Sequence, residues 1–345
     1  MRVILPPLPR ELRSDLPAEL RGVRRDRVRL MVLDRARRSI QHARFDEIGR
    51  WLRPNDLLVV NTSRTLPGAI AARRADGGVV QLRPCVRRTL SRDTEEWDAL
   101  SVEPGPPHTN VPLVDGETLL IGDLGATVLE RRADIPFLWK VRVPADGVAL
   151  LLDRGEPIRY SYVPAPVDPT RYQTVYAARP GSVEPPSAGR PFSWELLQTL
   201  RDRGVDIAEI VLHTGLSSFQ DDAFDAEHHL YEEWFEVPDE TVEAVGAARA
   251  AGRVIAVGTT VVRALETAAR SGELRAEKGW TDLAIRPGYP VRVVDALLTG
   301  LHEPQASHFD LLLALVDESL LARAYAEAVS RRYLWHEFGD ATLIL

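Results

Sequence analysis

Apolar and polar positions follow different patterns in three successive regions of this 345-residue chain. Up to residue 67 the pattern is mixed, with a helical stretch at 45–52 before a continuous apolar run at 57–60 that is typical of a buried strand. That run opens into the polar loop 61–64, Asn-Thr-Ser-Arg. We interpret residues 1–67 as the first part of an α/β domain.

Residues 68–154 have a β pattern throughout. Short apolar segments at 79–82, 118–121, 126–129 and 138–143 are separated by turns, of which Ala75-Asp76-Gly77-Gly78 and Asp115-Gly116 are the clearest hairpin signals. Gly122-Asp-Leu-Gly125 resembles a dinucleotide-binding loop, but no helix follows it, so we predict another hairpin turn. Short strands at this spacing predict an inserted small β-barrel or sandwich domain.

From residue 155 onward strands and helices alternate again. We predict helices at 193–203, with Ser193 as the cap, and at 239–251, and strands at 207–212 and 254–257. Further strands near 283–285 and 293–298 precede one long helix at about 309–331. This order favours a mainly parallel sheet. The predicted fold is α/β: a three-layer sheet domain (1–67 and 155–345) with helices on both faces and an inserted barrel (68–154).

Ligands of such sheets bind beyond the carboxyl ends of the strands, where four polar loops are expected, at 61–64, 213–219, 258–260 and 299–302. The most informative segment of the chain is RVIAVGTTVVRALE (253–266), which contains the third of these loops. A strand, a glycine turn and a hydroxyl-rich helix start together present backbone N–H groups to an anionic ligand. An ordinary strand-to-helix connection capped by Thr259 or Thr260 has the same pattern.

Composition indicates a soluble globular protein, with 45% hydrophobic and 27% charged residues. No apolar run approaches the roughly 18–20 residues that cross a membrane, and the amino terminus lacks the apolar segment of a secretory signal. The single cysteine, Cys85, excludes an intrachain disulfide and a cysteine-based metal cage. We therefore expect a cytoplasmic protein without a membrane partner.

The net charge is −7, yet arginines cluster at positions 21, 24, 25, 27 and 29. Such a patch is suited to nucleic-acid phosphates. A solvated face is the competing interpretation, because the chain uses arginine almost exclusively and has only two lysines, Lys140 and Lys278. Adjacent His228 and His229 are poorly placed to converge on one ion, so we predict no metal.

Several segments, taken together, resemble one protein family. They are RLMVLD (29–34), LLVVNTSRTLP (57–67), YQTVYA (172–177), PSAGRPF (186–192), LHTGLSSF (212–219), the segment 253–266, GWTDLAIRPGY (279–289), TGLHEP (299–304) and GDA (339–341). In this order and spacing they resemble the S-adenosylmethionine:tRNA ribosyltransferase-isomerases of queuosine biosynthesis. The resemblance spans nearly the whole chain, is weakest in the β insert, and is that of a divergent member.

The resemblance implies an enzyme that uses S-adenosylmethionine as a ribosyl donor rather than a methyl donor. The ribose passes to the aminomethyl group of a 7-deazaguanine in a tRNA anticodon and becomes an epoxycyclopentanediol, while adenine and methionine leave. Because the sulfonium acidifies the neighbouring C5′ protons, the site needs a general base, a proton source for adenine and a dry sulfonium pocket. Neither a metal nor a second cofactor is implied.

The resemblance also implies the site residues. Retained positions are Asn61, Arg64, Tyr172, Gln173, His213, His228, Glu233, Thr259, Thr260, Arg263, Glu266, His302 and Asp340. Glu233, His213 and His302 are the candidate catalytic residues. Asn61, Arg64, Tyr172, Gln173, Gly258, Thr259, Thr260, Arg263 and Asp340 are the candidate substrate-binding residues. Arg263 is placed either to pair with a ligand carboxylate or to pair with Glu266 on its own helix. Trp234, Tyr176 and Phe192 are candidates to face the sulfonium or to lie in the core.

Five positions depart from the family's usual residues: Ala69 and Leu334 replace arginines, Pro191 and Tyr231 replace histidines, and Gly300 replaces an asparagine. The lost side chains are polar or aromatic recognition groups, so we expect weakened tRNA binding. S-adenosylmethionine is the better supported of the two predicted partners. Two alternatives to the family reaction follow. One is a paralogue that cleaves S-adenosylmethionine with a small-molecule acceptor or none, and the other is a non-catalytic relative that binds an adenosyl ligand or RNA.

Overall fold

The computed structural model describes residues 5, 8–159, 163, 167–216, 219, 231–304 and 306–345. Its strands are β1 Arg29–Asp34, β2 Ser39–Arg44, β3 Leu57–Asn61, β4 Ser63–Thr65, β5 Ile70–Arg73, β6 Val79–Ser91, β7 Thr94–Val102, β8 Thr118–Ile121, β9 Leu124–Arg131, β10 Leu138–Val143, β11 Arg179–Ser182, β12 Asp206–Leu212, β13 Glu233–Val237, β14 Val254–Val257, β15 Glu277–Thr281, β16 Ala296–Thr299 and β17 Ala341–Ile344. Its α-helices are α1 Gly147–Arg154, α2 Trp194–Asp202, α3 Asp239–Ala251, α4 Thr259–Ala268, α5 Ser307–Leu315 and α6 Glu318–Ser330.

A nine-stranded sheet organises the described residues, in the order β15-β13-β12-β3-β14-β16-β17-β1-β2. The four central strands, β12, β3, β14 and β16, are parallel. The outer pairs β12–β13, β13–β15 and β1–β2 are antiparallel, as is the β16–β17 pair. The α/β class is therefore confirmed, but the sheet is mixed rather than mainly parallel, because the flanking strands run back along their neighbours.

Apolar residues on both faces of this sheet are covered, as predicted. In β3, Leu57 and Val59 face a core shared with α3, α4, α5 and α6. Leu58 and Val60 face the opposite core, which contains residues of α2 and the 3₁₀ segment Phe45–Arg50. Since alternate residues of a strand point to opposite faces, this division explains why the run 57–60 is apolar at every position.

Three local predictions were wrong. The long helix at 309–331 is two helices, because Val316 is extended and the Asp317 side chain accepts N–H groups of α6, starting a new helix. Residues 283–285 form no strand, although Leu283 and Ile285 are buried in the core. The stretch at 45–52 is a 3₁₀ helix over Phe45–Arg50 rather than an α-helix.

Strands β5 to β10 close into the predicted barrel, in the order β10-β7-β6-β5-β8-β9. Its interior holds the fully buried Trp97 together with apolar residues of every barrel strand. Gly122 adopts φ 65° in the turn that joins β8 to β9, so the segment is a hairpin turn, as predicted. The division of the chain at 67/68 and 154/155 stays a prediction.

The barrel contacts the large sheet through both apolar and charged residues. Cys85 and Leu100 of the barrel share a core cluster with Leu216 and Tyr231 of the segments that follow β12 and precede β13. Arg88 and Arg132 form ion pairs with Glu232, immediately before β13. The barrel is thereby fixed beside the carboxyl ends of the central strands, where the predicted site lies.

Candidate active site

Asn61, at the end of β3, joins three of the predicted site loops. Its Nδ2 donates to the Leu212 carbonyl over 2.9 Å and to Thr260 Oγ1 over 3.2 Å. Its Oδ1 accepts the N–H groups of Ser63 and Leu212, each at 3.0 Å. The amide therefore ties the ends of β3 and β12 to the start of α4, and its role is to position the loops.

The Gly258 turn precedes α4 in a conformation that favours glycine, with φ 99°. Its N–H donates to the Leu298 carbonyl over 2.8 Å, which holds β14 against β16. A Cβ at this position would lie 3.4 Å from the Cβ of Ala188, so the segment 187–189 packs directly over the turn. No described side chain caps α4, which leaves its first N–H groups directed at the space beside the turn.

Glu233 and Arg263 form an ion pair next to this turn. Glu233 Oε1 accepts the Gly215 N–H over 2.8 Å, and Oε2 pairs with Arg263 Nη1. Arg263 also donates from Nε to the Leu283 carbonyl over 3.0 Å. Both side chains are largely buried, 12% and 14% exposed, and Arg263 Nη2 has no hydrogen-bond partner in the described structure.

The alternative pairing of Arg263 with Glu266 is wrong. Glu266 is buried and accepts the N–H groups of Arg292 and Val293 at 2.8 to 3.0 Å. It thereby anchors the segment that leads into β16, and burial raises the pKa of its carboxyl. Arg263 is left with one buried, unpaired donor, which is suited to a ligand carboxylate.

His213 follows β12 and is held by a chain of hydroxyl groups. Its Nδ1 lies 2.8 Å from Ser63 Oγ, which lies 2.6 Å from Ser182 Oγ, and Ser182 accepts the Thr214 N–H over 3.0 Å. The imidazole stacks on Trp234 with 5.2 Å between ring centroids. A Cβ at position 181 would lie 2.3 Å from the imidazole, so Gly181 leaves the space that the ring occupies.

The hydroxyl chain and burial together set the environment of the His213 ring. Nδ1 contacts Ser63 Oγ, and this contact accommodates either ring tautomer. Burial, reinforced by Arg87 and Arg179, lowers the pKa of the ring to about 4. At neutral pH His213 is therefore uncharged.

Two predicted binding residues, Gln173 and Asp340, are occupied by internal contacts. Gln173 exchanges two hydrogen bonds with the backbone of Thr65, at 3.0 and 2.9 Å. Asp340 accepts from the Arg29 backbone at 2.8 Å, from the Arg29 side chain and from the Leu334 N–H at 2.8 Å. Asp340 links the starts of β1 and β17. Gln173 and Asp340 therefore act as structural contacts that support the site.

Tyr172 and Arg64 lie nearer to open space. Tyr172 packs against Phe338 with 5.4 Å between ring centroids and lines a shallow cleft with Gln173 and Glu184. Arg64, in β4, is exposed and forms no hydrogen bond or ion pair with the described residues.

His302 belongs to a group of three histidines beyond β16. Its Nε2 lies 2.7 Å from Thr299 Oγ1, and its ring stacks on His308 at 5.0 Å. Burial keeps the pKa of His302 well below its ordinary value, and the neighbouring His308 and His336 lower it further.

Within the described ranges, no group of three or more histidine, cysteine or acidic side chains is arranged to hold a metal ion.

The aromatic candidates divide between core and site. Tyr176 and Phe192 lie in the core cluster beneath the sheet, with 6.5 Å between their ring centroids. Trp234 is half-buried and has one face covered by His213. His228 and His229 lie outside the described residues.

Glu337 is a candidate site residue that sequence reasoning missed. It lies three residues before Asp340 and is hydrogen-bonded to Ser187, in the segment over the Gly258 turn. Burial first, and then the Glu184 carboxylate, raise the pKa of Glu337 to about 8. A protonated carboxyl beside the candidate site is itself a candidate functional group. In the sequence, the feature that could have indicated Glu337 is its position next to the GDA segment.

We expect Glu337→Gln to stabilise the protein progressively as the pH rises from 5 to 8. The raised pKa means that the folded state retains a proton that the unfolded chain loses above about pH 4.3, so wild-type stability falls through this window. Glutamine has no such dependence, and the difference should reach a few kcal/mol near pH 8. Urea unfolding at a series of pH values measures it, and a difference independent of pH would contradict the burial of an ionisable Glu337.

The departures from the family pattern are accommodated by packing. Ala69 and Tyr231 are buried together between barrel and sheet, and the Tyr231 hydroxyl donates to the Leu216 carbonyl. Pro191 is buried beside Arg190, whose guanidinium pairs with Glu19 at 2.7 Å. A Cβ at Gly300 would meet no heavy atom of the described structure within 4 Å, so this position has room for a side chain.

Four of the five clustered arginines form ion pairs within the protein. The pairs are Arg24 with Asp26, Arg25 with Glu19, Arg27 with Asp46 and Arg29 with Asp340, all within 3.0 Å. Arg21 donates to the Phe338 carbonyl over 3.1 Å. These side chains stabilise the amino-terminal segment against the sheet, so the cluster is not the unpaired basic surface that its sequence allowed.

Among the helices described, none has the length and apolarity to cross a membrane.

Comparisons with known proteins identify relatives of this chain. The family model described as queuosine biosynthesis protein matches residues 7–344. A Thermotoga maritima protein named S-adenosylmethionine:tRNA ribosyltransferase-isomerase is 39% identical, covering 98% of this chain and 97% of its own. A Thermus thermophilus protein of the same name is 40% identical, covering 93% of each chain.

A solved structure extends this similarity to the fold. The crystal structure of S-adenosylmethionine tRNA ribosyltransferase from Thermotoga maritima aligns with a TM-score of 0.56 and 33% identity, covering 99% of each chain. The resemblance found in the motifs is thus confirmed over almost the full length. The chain belongs to the queuosine biosynthesis protein family, that of the S-adenosylmethionine:tRNA ribosyltransferase-isomerases.

Proposed function

We propose that this protein transfers and isomerises the ribosyl part of S-adenosylmethionine onto a base of tRNA, with release of adenine and methionine. The observation that carries the proposal is the grouping of the Glu233–Arg263 pair, His213 and the Gly258 turn at one end of the central strands. In a member of this family, these are the groups that the reaction requires. Since tRNA is the proposed acceptor, the proposed location is the cytoplasm.

The methionyl carboxylate is assigned to Arg263 and the start of α4. Arg263 Nη2 is buried without a partner, and its guanidinium is held in place by Glu233 and by the Leu283 carbonyl. The uncapped N–H groups of α4 add positive potential at the same place. A carboxylate bound here satisfies the unpaired donor without displacing any internal hydrogen bond.

Proton transfer is assigned to Glu233 and substrate orientation to His213. A carboxylate accepts a proton on a free lone pair, and each Glu233 oxygen has one hydrogen-bond partner, which leaves a lone pair for the acidified C5′ proton. His213 is neutral and its Nδ1 contacts Ser63, which leaves Nε2 for a hydrogen bond that orients the substrate. The reaction written this way uses no metal.

Thr260→Val is expected to weaken S-adenosylmethionine binding by roughly 1.5–3 kcal/mol, as one hydrogen bond to a charged group is lost. Thr260 Oγ1 accepts from Asn61, so its own proton is free for a ligand. Calorimetry on this variant and on Thr259→Val measures the effect. Thr199→Val is the control, because that hydroxyl donates to Glu195 within α2. Unchanged affinity in both site variants would remove hydroxyl recognition from the proposal.

The proposed reaction is tested by assaying adenine and methionine after incubation with S-adenosylmethionine, alone and with tRNA that carries the aminomethyl-deazaguanine base. Adenine release that depends on this tRNA, together with ribosyl incorporation into it, supports the proposal. Release without tRNA contradicts the acceptor, and binding without turnover contradicts the activity. Unmodified tRNA of the same sequence is the matched control.

A further inference from the structure

We propose that Trp234 and Trp280 form a stacking surface for the tRNA nucleotides that flank the acceptor base. The inference rests on the proposed function, because that function supplies the RNA. The two tryptophans lie directly opposite each other on the neighbouring strands β13 and β15. Side chains that face each other across an antiparallel pair point to the same side of the sheet, so the two indoles share one face.

The row of rings begins at the candidate active site. His213 donates its backbone N–H to the Trp234 carbonyl over 2.9 Å, and its imidazole stacks on the Trp234 indole with an interplanar angle of 20°. Neighbouring strand positions therefore carry His213, Trp234 and Trp280 in that order. Two strand spacings, about 10 Å, separate His213 from Trp280. The surface is thus continuous with the site.

Trp280 is the outer end of this row and is open to solvent. It is 41% exposed, although tryptophan is highly buried on average. The Arg88 guanidinium of the barrel lies over its ring, 5.1 Å from the centroid, and is itself held by Asp98 over 3.0 Å and by Glu232. The indole is therefore fixed in place while part of its surface stays uncovered. A ring that is already positioned binds a base at a lower entropic cost than a mobile ring.

The charged side chains of the same face are suited to an RNA backbone. Lys278 lies two residues before Trp280 on β15, so it points to the same side. It is exposed and forms no hydrogen bond or ion pair with the described residues. Glu236, directly opposite Lys278, pairs instead with Arg179 over 3.2 Å. Because this carboxylate is already engaged by an arginine, the Lys278 ammonium is left for a phosphate.

Single-stranded RNA is the occupant that this combination fits. Proteins hold the unpaired bases of RNA loops by stacking them on aromatic side chains, and hold the backbone through cations. Stacked nucleotides rise about 3.4 Å each, so Trp280 lies within about three nucleotides of a base held beside His213. A second copy of this chain is the competing occupant, because β15 is an edge strand. Continuity with the candidate active site favours the RNA.

The affinity for an anticodon stem-loop RNA that carries the aminomethyl-deazaguanine base tests the surface, measured by fluorescence anisotropy. Trp280→Ala is expected to weaken RNA binding by roughly 5- to 150-fold, the effect of losing one stacked base. Trp280→Phe should weaken it less, because an aromatic face remains. Calorimetry should show unchanged affinity of Trp280→Ala for S-adenosylmethionine. Trp194→Ala is the matched control, because this indole is 57% exposed at the start of α2, and its RNA affinity should not change.

An abasic scan of the same RNA identifies the stacked nucleotide. An abasic site is placed in turn at each of the three nucleotides on either side of the acceptor base, and every RNA is titrated against the wild-type protein and Trp280→Ala. At one position the loss of affinity should be large for the wild-type protein and absent for the variant, because the variant already lacks the stacking partner. Lys278→Gln should reduce the slope of log affinity against log salt concentration by about 0.7, as expected for one phosphate contact.

Three outcomes would overturn the inference: no RNA binding by the wild-type protein, abasic losses that are equal in the two proteins, or an RNA affinity of Trp280→Ala within about twofold of the wild type. A dimer seen in sedimentation that Trp280→Ala abolishes, with RNA affinity unchanged, would assign the surface to self-association instead. Should Trp280→Ala fail to fold, Trp280→Leu replaces it, because leucine keeps apolar bulk without an aromatic ring.

The release of adenine by the wild-type protein is assayed separately from RNA binding. Release that depends on tRNA, together with unchanged RNA affinity in Trp280→Ala, would leave the proposed function intact and remove the stacking surface. Loss of RNA affinity in Trp280→Ala without adenine release by the wild-type protein would support the stacking surface and contradict the proposed reaction.

Discussion

Replacing Glu233 by glutamine is expected to slow adenine release by on the order of 10²- to 10⁴-fold. Glutamine keeps the size of the side chain and can still accept the Gly215 N–H, but it has no basicity toward the C5′ proton. It also weakens the charge that holds Arg263. Binding of S-adenosylmethionine should change by less than about tenfold, since a neutral acceptor still faces the guanidinium.

Single-turnover assays of adenine, with calorimetry of S-adenosylmethionine binding, measure the two effects separately. Glu236→Gln is the matched control on the same strand, because Glu236 is 27% exposed and pairs with Arg179 at the surface. Near-normal adenine release by Glu233→Gln would make Glu233 a purely structural partner of Arg263. His213 would then be the next residue to test.

Arg263→Met is expected to lower the free energy of unfolding by about 3–5 kcal/mol, because it leaves Glu233 buried without its cation. Methionine fills similar volume, so the loss is electrostatic rather than a cavity effect. The variant should also lose binding of S-adenosylmethionine, since it removes the unpaired Nη2 donor. Urea unfolding and calorimetry measure these two quantities.

The double variant Glu233→Gln/Arg263→Met distinguishes the ion pair from general disruption. Removing both charges should recover part of the lost stability, because no uncompensated carboxylate remains. Binding should not recover in the double variant. Additive losses of stability would show that the two side chains do not interact energetically, and the assignment of Glu233 as the holder of Arg263 would fail.

The elements that could be predicted are those whose pattern reflects burial on both faces. The run at 254–257 matches β14 because both faces of this central strand are buried in apolar cores. The edge strand β15 and its neighbour β13, EKGWT and EWFEV, were missed because their sequences mix charged and aromatic residues. Asp317 carried a readable capping signal for the break between α5 and α6, but the continuous apolar pattern outweighed it.

The site was less predictable because its contacts join distant segments. Helical spacing favoured Glu266 for Arg263, whereas the folded chain brings in Glu233, which lies 30 residues away. Ser63 and Ser182, which hold His213, are separated by 119 residues, so no local pattern indicates their contact. Glu337 was missed for the same reason, since its significance comes from Glu184 on another loop.

The position of β3 at the centre of the sheet has a consequence for how the protein folds. Both its neighbours, β12 and β14, come from the second half of the chain, and β1 pairs with the last strand, β17. In the sequence, the barrel strands lie between β3 and its two neighbours, and they pair with one another. During synthesis the barrel and the β1–β2 pair can therefore assemble early, while β3 waits for both of its neighbours and β1 waits for β17. High contact order of this kind makes formation of the sheet the slow step, and exposes its apolar edges until translation ends.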